Sequence, residues 1–225
     1  FQLPQHSLKT RLTLVTLTIF LISLWSLSFF TSRMLHKDFE KLLGEQQLST
    51  ATIVATQINR ELETRIEALK NAAALAGPAM QEGPASIQAG LEQRAELKIL
   101  FNKGSSVTGK DGIRIAHAPF SADRIGSDMT DRDYFDKALH EGKTSVGRPV
   151  IGKASKVPVV IIGTPIHDSK GSIIGVLAGV IDLESPSFLD QIPQSHYGKT
   201  GGFILIAREG RLIVTATEKV RITTP

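Results

Sequence analysis

The chain has 225 residues, 41% hydrophobic and 21% charged, a balance that supports a folded core rather than a disordered tail. It contains no cysteine, which excludes disulfides, zinc–thiolate centres and thiol catalysis. The net charge of +4 comes from basic residues interleaved with acids, with no Lys/Arg run and no aromatic–basic module, so nucleic acid is not an expected partner.

Residues 1–11 read as a short cytoplasmic N-terminal segment, and 12–32 as a transmembrane helix. No charged residue occurs from Leu12 to Ser32, and a helix of that length covers roughly 30 Å, the thickness of a bilayer's hydrocarbon. Lys9 and Arg11 bound it on one side, Arg33 and Lys37 on the other. So even a distribution does not set the orientation. Its Ser and Thr hydroxyls are tolerable if they bond back to the helix's own carbonyls.

Residues 33–77 read as a long amphipathic helix, with Leu35, Phe39 and Leu42, then Val54, Ile58, Leu62, Ile66, Leu69 and Ala73 at three- and four-residue steps. Gly77-Pro78 is the expected stop, and Gly44 a place for a bend. The length suits a stalk that leaves the membrane and pairs as a homodimer spine; a long helix folded back on its own domain would use another face of the same pattern.

Gly83-Pro84 opens a second helix, Ala85 to Glu96. From Leu97 the period becomes that of strands, with Leu97, Ile99 and Phe101 alternating and a break expected at Gly104-Ser105-Ser106. Lys110-Asp111-Gly112 is a hairpin turn into Ile113–Ala118. A helical turn at Asp136–His140 follows, then strands Ser145–Ile151, Pro158–Ile166 and Ser172–Leu183, and a helix Pro186–Gln191. The fold class is α+β, with an antiparallel sheet of about five strands and flanking helices over 78–196. Thr200-Gly201-Gly202 and the strands after it restart the pattern, so 197–225 reads as an incomplete second module; a terminal hairpin on the first sheet is the alternative.

The chemistry concentrates in Ile125–Phe135. Arg132 presents a fork of donors suited to a carboxylate, and Tyr134 and Phe135 can wall a pocket. The alternative is that Asp131, Asp133 or Asp136 neutralises Arg132 and merely pins a loop. No hydrolase, phosphate-loop or dinucleotide motif is present. The six histidines are dispersed, and the Asp128–Asp136 acids lack calcium-loop spacing. No enzyme site, cofactor or metal is expected within these residues.

Ile125-Gly126 followed by Asp131-Arg132-Asp133-Tyr134-Phe135, together with Gly163-Thr164-Pro165-Ile166 and Gly175-Val176-Leu177-Ala178-Gly179, resembles the double Cache family. These are extracytoplasmic sensor domains of bacterial transmembrane receptors, two PAS-like modules stacked along one long helix. The resemblance implies that 78–196 is the membrane-distal module and holds the ligand pocket. It also implies that Arg132 takes a ligand carboxylate, and that Tyr134 and Phe135 line the site. In the amino-acid-binding subset the rings are Trp then Tyr, a Tyr stands five positions before the Arg, and a late-strand Asp takes the ammonium. Here Ser127 holds the upstream position and Val180 the late one, with Asp182 two residues on as a substitute. An unpaired ammonium would be costly to bury, so an organic acid is expected over an amino acid, with Arg148 a second contact for a dicarboxylate.

The implied protein is a membrane sensor facing the periplasm or exterior of a bacterial inner membrane. Its partners would be a small-molecule ligand, the lipid bilayer and a second copy of itself. It would relay through the long helix to an output such as a diguanylate cyclase, histidine kinase or chemoreceptor module. A membrane-anchored structural or assembly protein without a small ligand is the alternative.

Overall fold

The structure, a computed structural model, describes residues 8–153, 155–190, 196–197, 201–202, 204–206 and 213–216. The chain divides into two units, residues 1–52 and 53–225. Helix α1 (Leu8–Glu82) begins in the first. Its apolar residues there, Leu12, Trp25 and Phe30 among them, are exposed, and among the described residues it is the helix long and apolar enough to cross a membrane. Thr16, Thr18 and Ser23 donate their hydroxyls to the carbonyls of Leu12, Leu14 and Ile19, so these polar groups need no outside partner.

The second unit is built on a six-stranded antiparallel sheet. Its strands are β1 (Ser105–Gly109), β2 (Arg114–Ala118), β3 (Ser145–Val146), β4 (Val150–Ile151), β5 (Pro158–His167) and β6 (Ile173–Asp182). They run in the order β2-β1-β6-β5-β3, with β4 also pairing β5. Side-chain alternation assigns the two faces. Val160, Ile162, Ile166, Leu177 and Ile181 pack with Leu69, Ala72 and Ala73 of α1 and with Ile87 and Leu91 of α2 (Pro84–Glu92). Val159, Ile161, Val176 and Ala178 pack with Tyr134, Phe135 and Ala138 of α4 (Asp133–His140). Coverage on both faces explains why β5 and β6 are almost continuously apolar.

Several expectations are corrected. α1 runs through Gly77-Pro78 to Glu82 and stops at Gly83, whose φ is 117°. Gly77 is needed for packing: a Cβ there would lie 2.3 Å from the His167 carbonyl oxygen. Leu97–Phe101 is not a strand; Ala95–Leu100 is helix α3, and Ile99 is exposed. Ser105 and Ser106 belong to β1, and the irregularity falls at Val107/Thr108 instead. Ser145–Ile151 is split into β3 and β4; between them Gly147 N still donates to Ile161 O at 2.8 Å, while Arg148 N turns to the Asp133 carboxylate at 2.9 Å. In place of the helix Pro186–Gln191 there is one 3-10 turn, Phe188–Asp190. The second-module expectation falls largely outside the described residues, where the short pairs His196–Tyr197 with Gly201–Gly202 and Ile204–Ile206 with Ile213–Ala216 are seen.

Candidate functional site

The segment after β2 folds back along that strand. Arg114 N donates to Ser127 O, Gly126 N to Arg114 O and Met129 N to Gly112 O, and Ile113 bridges Asp128. Gly126, at φ 79°, makes the bend. The run ends at Arg132, the N-cap residue of α4, in extended conformation. Asp133 Oδ1 then accepts from Tyr134 N at 2.8 Å, placing a carboxylate at the positive end of the helix.

A cavity of about 220 Å³ opens between this segment, the Gly152–Ser155 loop and the ends of β5 and β6. Lys103, Arg114, Arg124, Arg132 and Lys153 line it, and among the described lining residues Asp128 is the one acid. Val159, Ile161 and Val180 form its apolar wall. A second hollow of about 200 Å³, lined by Ile58, Leu62, Pro149, Phe188 and Leu205 among others, has no charged lining residue and nothing to orient a polar guest.

Two of the five cations are matched by acids. Lys103 Nζ lies 2.9 Å from Asp182 Oδ2, and Lys153 Nζ 2.7 Å from Asp131 Oδ1. Arg132 is nearly buried, yet its one acidic neighbour, Asp131, stands 3.6 Å from Nε. No hydrogen bond engages its guanidinium among the described residues. Arg124 Nη1 meets Nε2 of His117 at 3.1 Å. Arg114 Nη2 donates to the Met129 sulfur at 3.1 Å, and burial lowers the Arg114 pKa, with the adjacent Tyr134 phenol opposing.

The predicted site residues separate into two groups. Arg132 and Ser127 line the cavity; Ser127 Oγ donates to Arg124 O at 2.8 Å, which leaves the oxygen free to accept. The other four lie elsewhere. Phe135 is buried in the core under α4. Tyr134 is buried with it, its ring lying over Gly163, where a Cβ would come within 2.6 Å of Cδ2. Arg148 Nε is 3.3 Å from Asp133 Oδ2, away from the cavity lining. Asp182 is 2% exposed and accepts from Lys103, Glu184 N, Ser185 N and Ser185 Oγ. Burial pushes its pKa up, but these donors together outweigh that and hold it below the usual carboxylate value. What reaches the cavity from that strand end is therefore Lys103.

Arg114 and Arg124 were not legible as site residues. β2 carries a one-residue register shift: His117 pairs Ser106 and Arg114 pairs Thr108, leaving Ile115 without a partner. By strict alternation Arg114 and His117 would face opposite ways; the extra residue brings both to the face shared with Val176 and Ala178.

An antiparallel sheet packed against a long helix on one face, with a small polar cavity on the other, is an α+β module. The family described as Cache domain (dCache_1) matches residues 35–224, and the chain belongs to it. Solved structures with the same fold include the ligand-binding domain of the Pseudomonas fluorescens chemoreceptor CtaA in complex with L-alanine. It is 22% identical with a TM-score of 0.62, over 76% of this chain and 71% of that one. The ligand-binding domain of the Pseudomonas aeruginosa PAO1 amino acid chemoreceptor PctC in complex with GABA is 19% identical, with a TM-score of 0.63 over 77% of this chain and 75% of that one. The ligand-binding domain of PctB from the same organism, in complex with L-Arg, is 24% identical, with a TM-score of 0.60 over 76% of this chain and 70% of that one. No curated protein matches the chain significantly.

Proposed function

We propose that this chain is the ligand-sensing region of a bacterial membrane receptor, that it binds a small carboxylate through Arg132, and that binding biases α1. The observation that carries this reading is the open guanidinium of Arg132, nearly buried at a cavity and without a hydrogen bond among the described residues. A buried guanidinium without an acceptor is costly. A bidentate carboxylate satisfies it with two parallel charge-assisted bonds. Ser127 would orient the guest, and Lys103 and Lys153 would attract it from the rim. The exposed apolar stretch of α1 fits a bilayer, with the sensor region on the periplasmic or outer side. Homodimerisation through the stalk, with residues 197–225 starting a second module, completes the arrangement.

A contiguous route supports the relay. Asp182 holds Lys103 at the cavity and pairs with Asn102 through Asp182 N to Asn102 Oδ1 at 2.8 Å. Leu100, two residues earlier, accepts from Arg65 of α1 at 3.1 Å. A ligand that drew Lys103 inward would load this chain of contacts, and only its differential affinity for two states would shift the helix.

The test is a thermal-shift series on the full chain in detergent with a panel of small organic acids. A melting-temperature rise with at least one acid, lost in Arg132→Ala, is the expected result. No rise with any acid in a well-folded protein overturns the reading.

A further inference from the structure

Among the described residues, four buried side-chain atoms lack a hydrogen-bond partner: Ser106 Oγ, Thr108 Oγ1, Arg114 Nε and Tyr134 OH. All four belong to the same side of the sheet. Ser106 and Thr108 are alternate residues of β1, paired across to Ala178 and Val176. Arg114 is the β2 partner of Thr108. The Tyr134 ring covers Gly163, which pairs with Ala178. The Tyr134 phenol lies close enough to Arg114 and Arg132 to feel both charges, and its polar contact is with the Arg114 guanidinium, at a geometry short of a full hydrogen bond. Tyr134 is 1% exposed. Each such orphan ordinarily costs about 1–3 kcal/mol, and of the four residues Arg114 is the one that lines the cavity.

The charge balance says what the cavity suits. Lys103 is matched by Asp182, and Asp131 is shared between Lys153 at 2.7 Å and Arg132 at 3.6 Å, so the five cations of the lining outnumber the acids Asp182, Asp131 and Asp128 around it. Asp128 Oδ1 is itself occupied by the amide and hydroxyl of Thr130, both at 2.8 Å. At the late-strand position the wall is the hydrocarbon of Val180.

We infer that Arg114 and Arg124, backed by the Tyr134 hydroxyl, form a second anion subsite within the cavity, and that the ligand is a compact dianion without an ammonium group. The inference rests on the proposed sensor function and names its ligand class. An apolar cavity of about 150 Å³ takes a benzene ring, so about 220 Å³ accommodates a dicarboxylate or a small phosphorylated acid of roughly six to ten heavy atoms. Each end group meets a guanidinium whose geometry suits carboxylate and phosphoryl oxygens alike. The subsite holds Arg114 on the cavity face only because of the register shift in β2.

The test is calorimetric titration of the full chain in lipid nanodiscs. The ligands are the dicarboxylates malonate, succinate and glutarate, their monocarboxylate counterparts propionate, butyrate and valerate, then 2-phosphoglycolate and L-alanine. At least one dianion is expected to bind about ten- to a hundredfold more tightly than the monocarboxylates. Arg114→Gln should remove that advantage, bringing the dianions down to the affinity of the monocarboxylates. Tyr134→Phe, which keeps the ring's packing, should reduce it severalfold. A preference for 2-phosphoglycolate over every dicarboxylate would identify the second group as phosphoryl. Dianions binding no better than monocarboxylates that still require Arg132 would overturn the subsite and leave the sensor reading standing, as would L-alanine binding tightest. A dianion advantage surviving both substitutions would also overturn it. No binding by any acid would overturn both.

Discussion

His117 is 4% exposed, and its Nδ1 lies 2.6 Å from the Pro119 carbonyl oxygen. Nδ1 therefore carries the proton, and Nε2 accepts from Arg124 Nη1. Burial depresses the imidazole pKa below 6.5, and the charges of Arg124 and Arg114 push the same way, against the Pro119 hydrogen bond and Asp123. As pH falls, the unfolded chain takes up this proton before the folded one does. The stability tied to neutral His117 is thus fully present above the free imidazole pKa of about 6.5 and declines as pH falls through it toward the lower folded value. Urea denaturation at pH 7.5 and pH 5.5 should show a loss of stability at the lower pH that is smaller in His117→Gln; an equal loss in both proteins would remove His117 as the cause. Gly163 sets a second residue-scale constraint. A Cβ there would sit 2.6 Å from Tyr134 Cδ2 and 3.0 Å from Tyr134 O. Gly163→Ala should cost about 1–3 kcal/mol by overpacking, read by the same denaturation, and wild-type stability in that variant would contradict the contact.

At the scale of elements, Arg65 fastens α1 to the sheet unit. It is 7% exposed, donates to Leu100 O, Glu61 O and Glu61 Oε2, and lies 4.1 Å over the Phe188 ring. Arg65→Met should lower stability by about 2–4 kcal/mol through the lost charged hydrogen bonds and cation–π contact, measured by thermal circular dichroism; a change within about 0.5 kcal/mol, as at an ordinary surface site, would contradict that role. The elements also divide by how readable they were. β5 and β6 announced themselves because helices cover both faces, so the apolar run is unbroken. α3 did not: Leu97 and Phe101 stand four apart, a helical step, and the exposed Ile99 between them supplied a false alternation. α4 begins three residues before its expected start, because Asp133 anchors its first turn by hydrogen bonding, which leaves no mark in hydrophobic period. In the cavity, Arg132 and Ser127 could be named from the motif. Arg114 could not, since a β-bulge is invisible to a period-two reading.

At the scale of the molecule, an exposed apolar helical stretch leads into a Cache domain over residues 35–224 that carries a cationic cavity. Protease added to spheroplasts, which leave the outer face of the inner membrane accessible, should cleave residues beyond 53; complete protection there, with cleavage only after lysis, would contradict an extracytoplasmic sensor. The question beneath all the others is where a guest sits. A crystal structure of the protein grown with the tightest-binding acid from the titration series answers it. The account predicts a carboxylate within about 3 Å of the Arg132 guanidinium, its other end directed toward Arg114 and Arg124. Density for the acid in the apolar hollow beside Leu62 and Phe188, with the Arg132 guanidinium making no contact to it, would contradict the account.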